Sequence, residues 1–379
     1  MNHETAVSSA KEIVDRVLAP AARQNDKEGR FSSEAIKALG PAGLLGIMLP
    51  ADVGGAALGP RTFAAIVSAL AEADASVAMV YLMHVCAAAT IAAARKNATI
   101  APTLKDIAAG RHLSTLAFSE AGSRSHFWAP VSRARRNAAG VHITAKKSFV
   151  TSAGQASSYV VSALAPQGTA PTDSTLYLIP SGARGLSVAG AWDGLGLRAN
   201  ASAPMTLDDC EVSYESQLTD DGAGFQAMLQ VVLPLFNLGS AAVALGICRA
   251  AVAGTATHLK SARFEHLGQS LGESLPTLRA QIATMQIDTD GLAARIVVDH
   301  LERPRDTTVL RVLESKAAAG DTAIAVTSAA LRICGGAAFA KHMAVERLFR
   351  DAHAGAVMAP TGDVLREFIG KAVLGMPLF

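Results

Sequence analysis

Hydrophobic periodicity changes twice along this chain, and the two changes divide it into helices, strands and helices again. From Glu4 to about Ile107 the apolar residues recur at helical spacing, as in SSEAIKALGPAGLLGIML and RTFAAIVSALAEADASVAMVYLMHVCAAATIAAA. Ser33, with Ala35 and Ile36 behind it, and Pro60, ahead of the second run, supply helix starts. The glycine-containing stretch from Leu49-Pro50 to Pro60 reads as a loop between helices. From about Leu113 to Val212 the period shortens to two and β-branched residues accumulate, in VHITAKKSFVTSAGQASSYVVSAL, STLYLIPSGARGLSVAG and PMTLDDCEVS. Gly, Pro, Ser and Asn punctuate these runs, so an antiparallel β domain is expected there. From about Gly222 the helical period returns in long segments, which makes the chain α+β.

At 379 residues the chain is long enough to bury a large core in two or three packed units. Half of it is apolar, much of that alanine, with 5% aromatic and 17% charged residues. Such a composition suits close-packed helices with small interfacial side chains. A net charge of +2 gives no ground for nucleic acid or an anionic membrane as partner. Cys86, Cys210, Cys248 and Cys334 are scattered, with no CxxC pair or histidine cluster nearby, so neither a disulfide framework nor a metal site is expected. The N-terminal segment has charges on both sides of its apolar positions and no apolar h-region, and no uninterrupted apolar run is long enough for a membrane span. A soluble, cytoplasmic protein is the expectation.

Five segments then occur in a fixed order: LAFSEAGSRS at Leu116–Ser125, KKSFVTSAG at Lys146–Gly154, GLGLRANAS at Gly194–Ser202, DDGAGFQAML at Asp220–Leu229, and GGAAFAKHMAVERLFRDAHAGAVMAPT at Gly335–Thr361. They resemble the (T/S)EPxxGS, KxWITNGG, GxRxSxT, GxGFxxAM and GG…RDA segments of the acyl-CoA dehydrogenase family. The resemblance covers almost the whole chain. It implies an N-terminal helical domain over 1–112, a middle β domain over 113–220 and a C-terminal four-helix-bundle-like domain over 221–379. It also implies FAD as cofactor, an acyl-CoA or related substrate, an electron-transferring flavoprotein as possible partner, and a dimeric or tetrameric assembly.

Site residues follow from the same resemblance. A flavin gathers negative charge at its N1–C2=O edge on reduction, and hydroxyl and backbone N–H donors at strand ends hold that edge. Ser119 and Thr151 occupy the hydroxyl positions, with the backbones of Phe118 and Val150 beside them, and Phe149 stands where the family usually has tryptophan against the ring. Read without the flanking motifs, Phe149 is an inward strand residue and Ser119 and Thr151 are turn hydroxyls. Arg263, Arg332, Gly335 and Gly336 fall at the family's diphosphate and adenosine positions, often supplied by a neighbouring subunit, and Thr361 closes the cofactor set. Arg332 reads equally as a solvated helix charge, and Arg350-Asp351 as an intramolecular pair. Ser125 matches the serine near the thioester and Phe225 the aromatic lining the cleft.

One element of the family pattern is missing. Classical members carry a glutamate two residues before the final threonine, where it takes the α-proton of the substrate; here Ala359 stands there, followed by Pro360. Other members place the glutamate on an earlier helix, just before an arginine, and those positions fall on Phe236 and Asn237. The same helix lacks the Asp and Arg that grip the CoA moiety. Loss of a general base costs about two to four orders of magnitude in rate. Asp363, one turn beyond Ala359, is a weak substitute and reads better as a first-turn acid that favours the helix dipole. Glu120 is not the family's base, His353 is expected to face solvent or a subunit, and His84 reads as a core histidine. Three functions follow: α,β-dehydrogenation of an acyl thioester with an atypical or missing base, a flavin-dependent monooxygenase on the same fold, or a catalytically silent subunit of a hetero-oligomer.

Overall fold

The computed structural model describes residues 1–94, 98–124, 126–138, 140–296 and 298–378. Six α-helices come first among the described residues: α1 (His3–Ile13), α2 (Ala19–Glu28), α3 (Ser33–Leu39), α4 (Pro60–Ala73), α5 (Ala75–Ala93) and α6 (Ala101–Ala108). Pro60 occupies the first turn of α4, where its missing N–H leaves no helical hydrogen bond unmade. Asp74 ends α4 and starts α5, its carboxylate accepting the N–H groups of Ser76 and Val77. The helical spacing of the SSEAIKALGPAGLLGIML run extends beyond the helix itself: α3 stops at Leu39, and turns carry the chain on to Leu49. The stop is enforced by packing, because Gly40 and Gly110 meet backbone to backbone, and a Cβ at Gly40 would lie 2.5 Å from the Gly110 carbonyl oxygen.

Seven strands follow: β1 (Ser114–Ala117), β2 (Ala134–Arg136), β3 (Val141–Val150), β4 (Ser158–Leu164), β5 (Ser174–Pro180), β6 (Leu186–Val188) and β7 (Ala203–Val212). They form two sheets, ordered β1-β4-β5 and β2-β3-β7-β6. The expectation of a purely antiparallel domain is corrected: β1 pairs with β4 in parallel, with Ser114 opposite Ser158. Strand β4 is buried on both faces, Tyr159 and Val161 facing a core shared with β3 and β7 while Val160 joins the helical core. That double burial explains its near-continuous apolar run.

The last block contains α7 (Gly224–Ala227), α8 (Leu233–Ser261), a short hairpin of β8 (Arg263–Phe264) and β9 (Gln269–Ser270), then α9 (Leu271–Ser274), α10 (Pro276–Arg295), α11 (Val298–Glu302), α12 (Thr308–Phe339), α13 (Val345–Val357) and α14 (Gly362–Val373). Helix α8 runs through the centre and packs on α4, α5, α10, α12 and α13. Gly239 and Gly246 let it approach closely, a Cβ there meeting Leu82 at 2.6 Å and the Ser68 carbonyl at 2.4 Å.

Average composition gives a different picture from uninterrupted runs. Ala75–Ala93, Gly224–Ser261 and Thr308–Phe339 reach the length and composition of a membrane span, because an averaged window tolerates isolated polar residues such as His84 and Asn237. The most apolar stretches of the first two are 83% buried inside the protein and that of the third is 39% buried, with Asp321, Ala325, Ser328 and Arg332 exposed along its outer side.

Gly110 has a φ of +74°, and a Cβ on it would lie 2.4 Å from Gly40. Gly110→Ala should therefore destabilise the chain by about 2–4 kcal/mol through overpacking and strain. Gly182→Ala, with open space around it, should stay within about 0.5 kcal/mol. Urea midpoints of the two variants check this, and equal midpoints would refute it.

Candidate functional site

The site starts from a bulge at the end of β3. The β3–β7 register slips between Lys147 and Val150, and Phe149 adopts a φ of +55°. A bulge of this kind re-aims a side chain, and Phe149 is left 69% exposed while Val150 stays buried between the sheets. The turn that follows is fastened to the 200–202 segment: Ser152 N–H donates to the Asn200 carbonyl at 2.9 Å and Ala153 N–H to Ala201 at 3.0 Å. The hydroxyls of Thr151 and Ser202 lie 3.1 Å apart. The N–H of Ser148 donates to the Ser119 carbonyl at 2.8 Å, which brings the 116–125 and 146–154 segments edge to edge.

Beneath them lies a buried ion pair. Lys147 Nζ is 2.6 Å from Glu120 Oε1 and also donates to the Ser162 carbonyl at 2.6 Å. Glu120 Oε2 accepts the N–H groups of Val131 and Ser132, each at 3.0 Å. Burial pulls the Lys147 pKa down, and the Glu120 carboxylate opposes that shift. Both carboxylate oxygens of Glu120 are thus committed to structure.

These segments bound one cavity of about 720 Å³. Phe118, Ser119, Phe149 and Thr151 line it, joined by Trp192, Asn200 and Ser202, by Met79 and Met83 from α5, by Phe236 from α8, and by His353, Ala354 and Val357 from α13. Ala359 lines it as well. Trp192 sits edge-on to Phe149 with ring centroids 6.3 Å apart. An aromatic margin beside the hydroxyls of Ser119, Thr151 and Ser202 and the amide of Asn200 suits an isoalloxazine, which has apolar faces and one polar edge. The residues present fit a flavin ring.

Other expected residues lie elsewhere. Arg332, Gly335 and Gly336 line a separate, more open cavity of about 470 Å³ with Phe339 and Phe349. Gly335 breaks the helical geometry of α12 there, at φ 53° and ψ −133°. Arg263 is exposed on the β8–β9 hairpin, and Phe225 packs on the helical core without lining the main cavity. Thr361 caps α14, its hydroxyl accepting the Val364 N–H. Asp363 is exposed in the first turn of α14 and is not among the residues lining the cavity. Ser125 lies outside the described residues.

Two readings of charged residues change and a third holds. Arg350 does not pair with Asp351; it forks onto Asp26 at 2.6 Å and Glu346 at 2.8 Å. Asp351 is buried and accepts the Leu197 N–H at 2.7 Å, and burial raises its pKa to about 7. The sequence could not show the contacts of Arg350 with Asp26 and of Asp351 with Leu197, since those partners lie on α2 and in the 194–202 loop. His353 does not face away: it lines the cavity. His84 is a core residue, held at Nε2 by the Leu45 carbonyl and at Nδ1 by the Ser114 N–H, and burial lowers its pKa to about 4.

Two residues emerge only in three dimensions. Trp192 had a signal, as one of two tryptophans and close before GLGLRANAS. Lys316 had none. It is 2% exposed, donates to the Met358 carbonyl at 3.0 Å and the Pro360 carbonyl at 2.5 Å, and lies 5.7 Å from the centre of the Phe236 ring. It therefore grips the backbone on both sides of Ala359.

Helices, a two-sheet β domain, further helices and a cavity shaped for an isoalloxazine define a flavoprotein oxidoreductase. Three family domains match in order: the acyl-CoA dehydrogenase N-terminal domain over residues 1–111, the middle domain over 115–210 and the C-terminal domain over 222–374. The chain belongs to the acyl-CoA dehydrogenase family. The short-chain specific acyl-CoA dehydrogenase of Bos taurus mitochondria is 26% identical across 98% of this chain and 90% of its own length. The cyclohex-1-ene-1-carbonyl-CoA dehydrogenase of Geobacter metallireducens is 26% identical across 96% of each chain. The butyryl-CoA dehydrogenase structure from Megasphaera elsdenii superposes with a TM-score of 0.92 over 98% of both chains at 23% identity, showing the same fold.

Glu120→Gln leaves the Lys147 ammonium buried without its counter-charge and should cost about 3–5 kcal/mol; recovery of part of this in Glu120→Gln/Lys147→Met, measured by chemical unfolding, checks the pairing. Lys316 gives a pH signature. Burial lowers its pKa from 10.5 to about 7, so between those values the unfolded chain binds the extra proton and stability rises with pH. Lys316→Met should flatten that rise between pH 7 and 10, and an unchanged slope would show that Lys316 does not titrate there.

Proposed function

We propose that this chain binds FAD and oxidises an acyl thioester between Cα and Cβ. The observation that carries this reading is that a single cavity is bounded by the Ser119 and Thr151 segments and by the Val357–Ala359 segment. When bound, the flavin supplies a two-electron acceptor. The hydroxyls of Ser119 and Thr151, with nearby backbone N–H groups, hold its polar edge. Phe149 and Trp192 flank the ring. Met79, Met83, Val232 and Phe236 give the cavity an apolar side that excludes water and takes an acyl chain. An electron-transferring flavoprotein is the acceptor this reading expects.

Arg332, Gly335 and Gly336 stand apart from the main cavity, which supports their serving the diphosphate and adenosine of a second copy's FAD. The outward Ile287 and Phe339, 68% and 82% exposed, support an assembly through this block. Gel filtration should show an oligomer, and a monomer that retains flavin would refute this arrangement.

Anaerobic titration with a panel of acyl-CoAs tests the activity: bleaching of the visible flavin band by any of them supports it. Ala359→Glu restores a carboxylate at the family's base position and should bleach at least as fast as the wild type; flavin-loaded Ala359→Glu that no thioester bleaches would refute the reading. The alanine at 359 also favours a second reading, a flavin monooxygenase. Flavin that no thioester bleaches, in a protein that consumes oxygen once reduced, would select that reading.

A further inference from the structure

Resting on the thioester reading, we propose that His353 is the proton acceptor that takes the place of the missing glutamate. Four residues lining the cavity carry an ionisable side chain: Glu120, Arg124, Arg350 and His353. Glu120 has one oxygen on Lys147 and the other on two backbone N–H groups. Guanidinium groups such as those of Arg124 and Arg350 do not accept protons in proteins. His353 is the one remaining base among the described lining residues.

Its geometry fixes which nitrogen is available. Nδ1 lies 2.7 Å from the carbonyl oxygen of Phe349, one turn earlier on α13. A carbonyl only accepts, so Nδ1 carries the hydrogen, and in the neutral ring Nε2 holds the free lone pair. The Phe349 ring packs edge-on against the imidazole at 4.7 Å between centroids, which further limits its rotation. His353, Ala354 and Val357 share one helix face toward the cavity, and Ala359 follows less than a turn after the helix ends. The base thus moves from the loop after α13 to the helix itself.

In the proposed step the Cα–H bond of the thioester breaks and an Nε2–H bond forms. The electron pair stays on the substrate, delocalised into the thioester carbonyl, and the imidazole becomes imidazolium. The step can be isolated from oxidation with 3,3-dimethylbutyryl-CoA, which has α-hydrogens and no β-hydrogen to lose.

The experiment follows deuterium wash-in at Cα of that thioester in D₂O, with the flavin-loaded protein, by mass spectrometry. His353→Asn keeps an amide donor near the Nδ1 position and deletes Nε2. Wild type should exchange, His353→Asn should exchange at least about 100-fold more slowly with its flavin spectrum unchanged, and Ala359→Glu/His353→Asn should exchange again. Should His353→Asn lose its flavin, His353→Gln read by the same exchange decides. Wild-type exchange in a flavin-loaded His353 variant overturns the role of His353 and leaves the thioester reading intact. Exchange by Ala359→Glu but not by wild type overturns it too. No exchange by either, with flavin bound, overturns the thioester reading itself and His353 with it.

Discussion

The Lys147–Glu120 pair is the constraint on which the site depends. It joins the two sheets at the point where the 116–125 and 146–154 segments run side by side, and it reaches β4 through the Ser162 carbonyl. A buried ammonium is tolerated only with a counter-charge and with its remaining donors satisfied, so the pair holds the loop at 118–120, the end of β3 and the segment at 131–132 in one register. With that register fixed, the bulge can present Phe149, Thr151 and Ser119 to a common space. The ion pair contributes position more than net stability.

A second set of polar contacts closes the cavity from the helical side. Arg350 ties α13 to α2 through Asp26 and to the 194–202 loop through the Leu195 carbonyl. Asp351 takes the Leu197 N–H, and Lys316 holds the carbonyls that straddle Ala359. Each contact links elements far apart in sequence, and each fixes a backbone segment whose side chains line the cavity. The wall that carries His353 and Ala359 is therefore rigidly placed relative to the floor that carries Ser119 and Thr151, as chemistry at a bound ring requires.

Much of the fold was legible because hydrophobic period reports directly on local geometry. The change from period 3.6 to period 2 near Leu113 and back near Gly222 matches where α6 ends, at Ala108, where the strands run, from Ser114 to Val212, and where α7 begins, at Gly224. Period is blind to strand partners, so the parallel pairing of β1 with β4 was hidden. It is also blind to close backbone approaches, so the helix at Ser33 appeared longer than the contact of Gly40 with Gly110 permits. Side-chain direction was the weakest reading of all: His353 lines a cavity that the chain order gave no reason to place beside it.

The sequence by itself determined the order of structural blocks, the family, and the replacement of a carboxylate by Ala359, since these are matters of residue identity and spacing. Only the tertiary structure decided which residues share a cavity. It separated Arg332, Gly335 and Gly336 from Ser119 and Thr151, left Asp363 on the surface, and brought Trp192, Lys316 and His353 to the site. The reason is physical: identity is local, whereas a cavity is made by long-range packing and by buried polar contacts whose partners lie from tens to hundreds of residues apart.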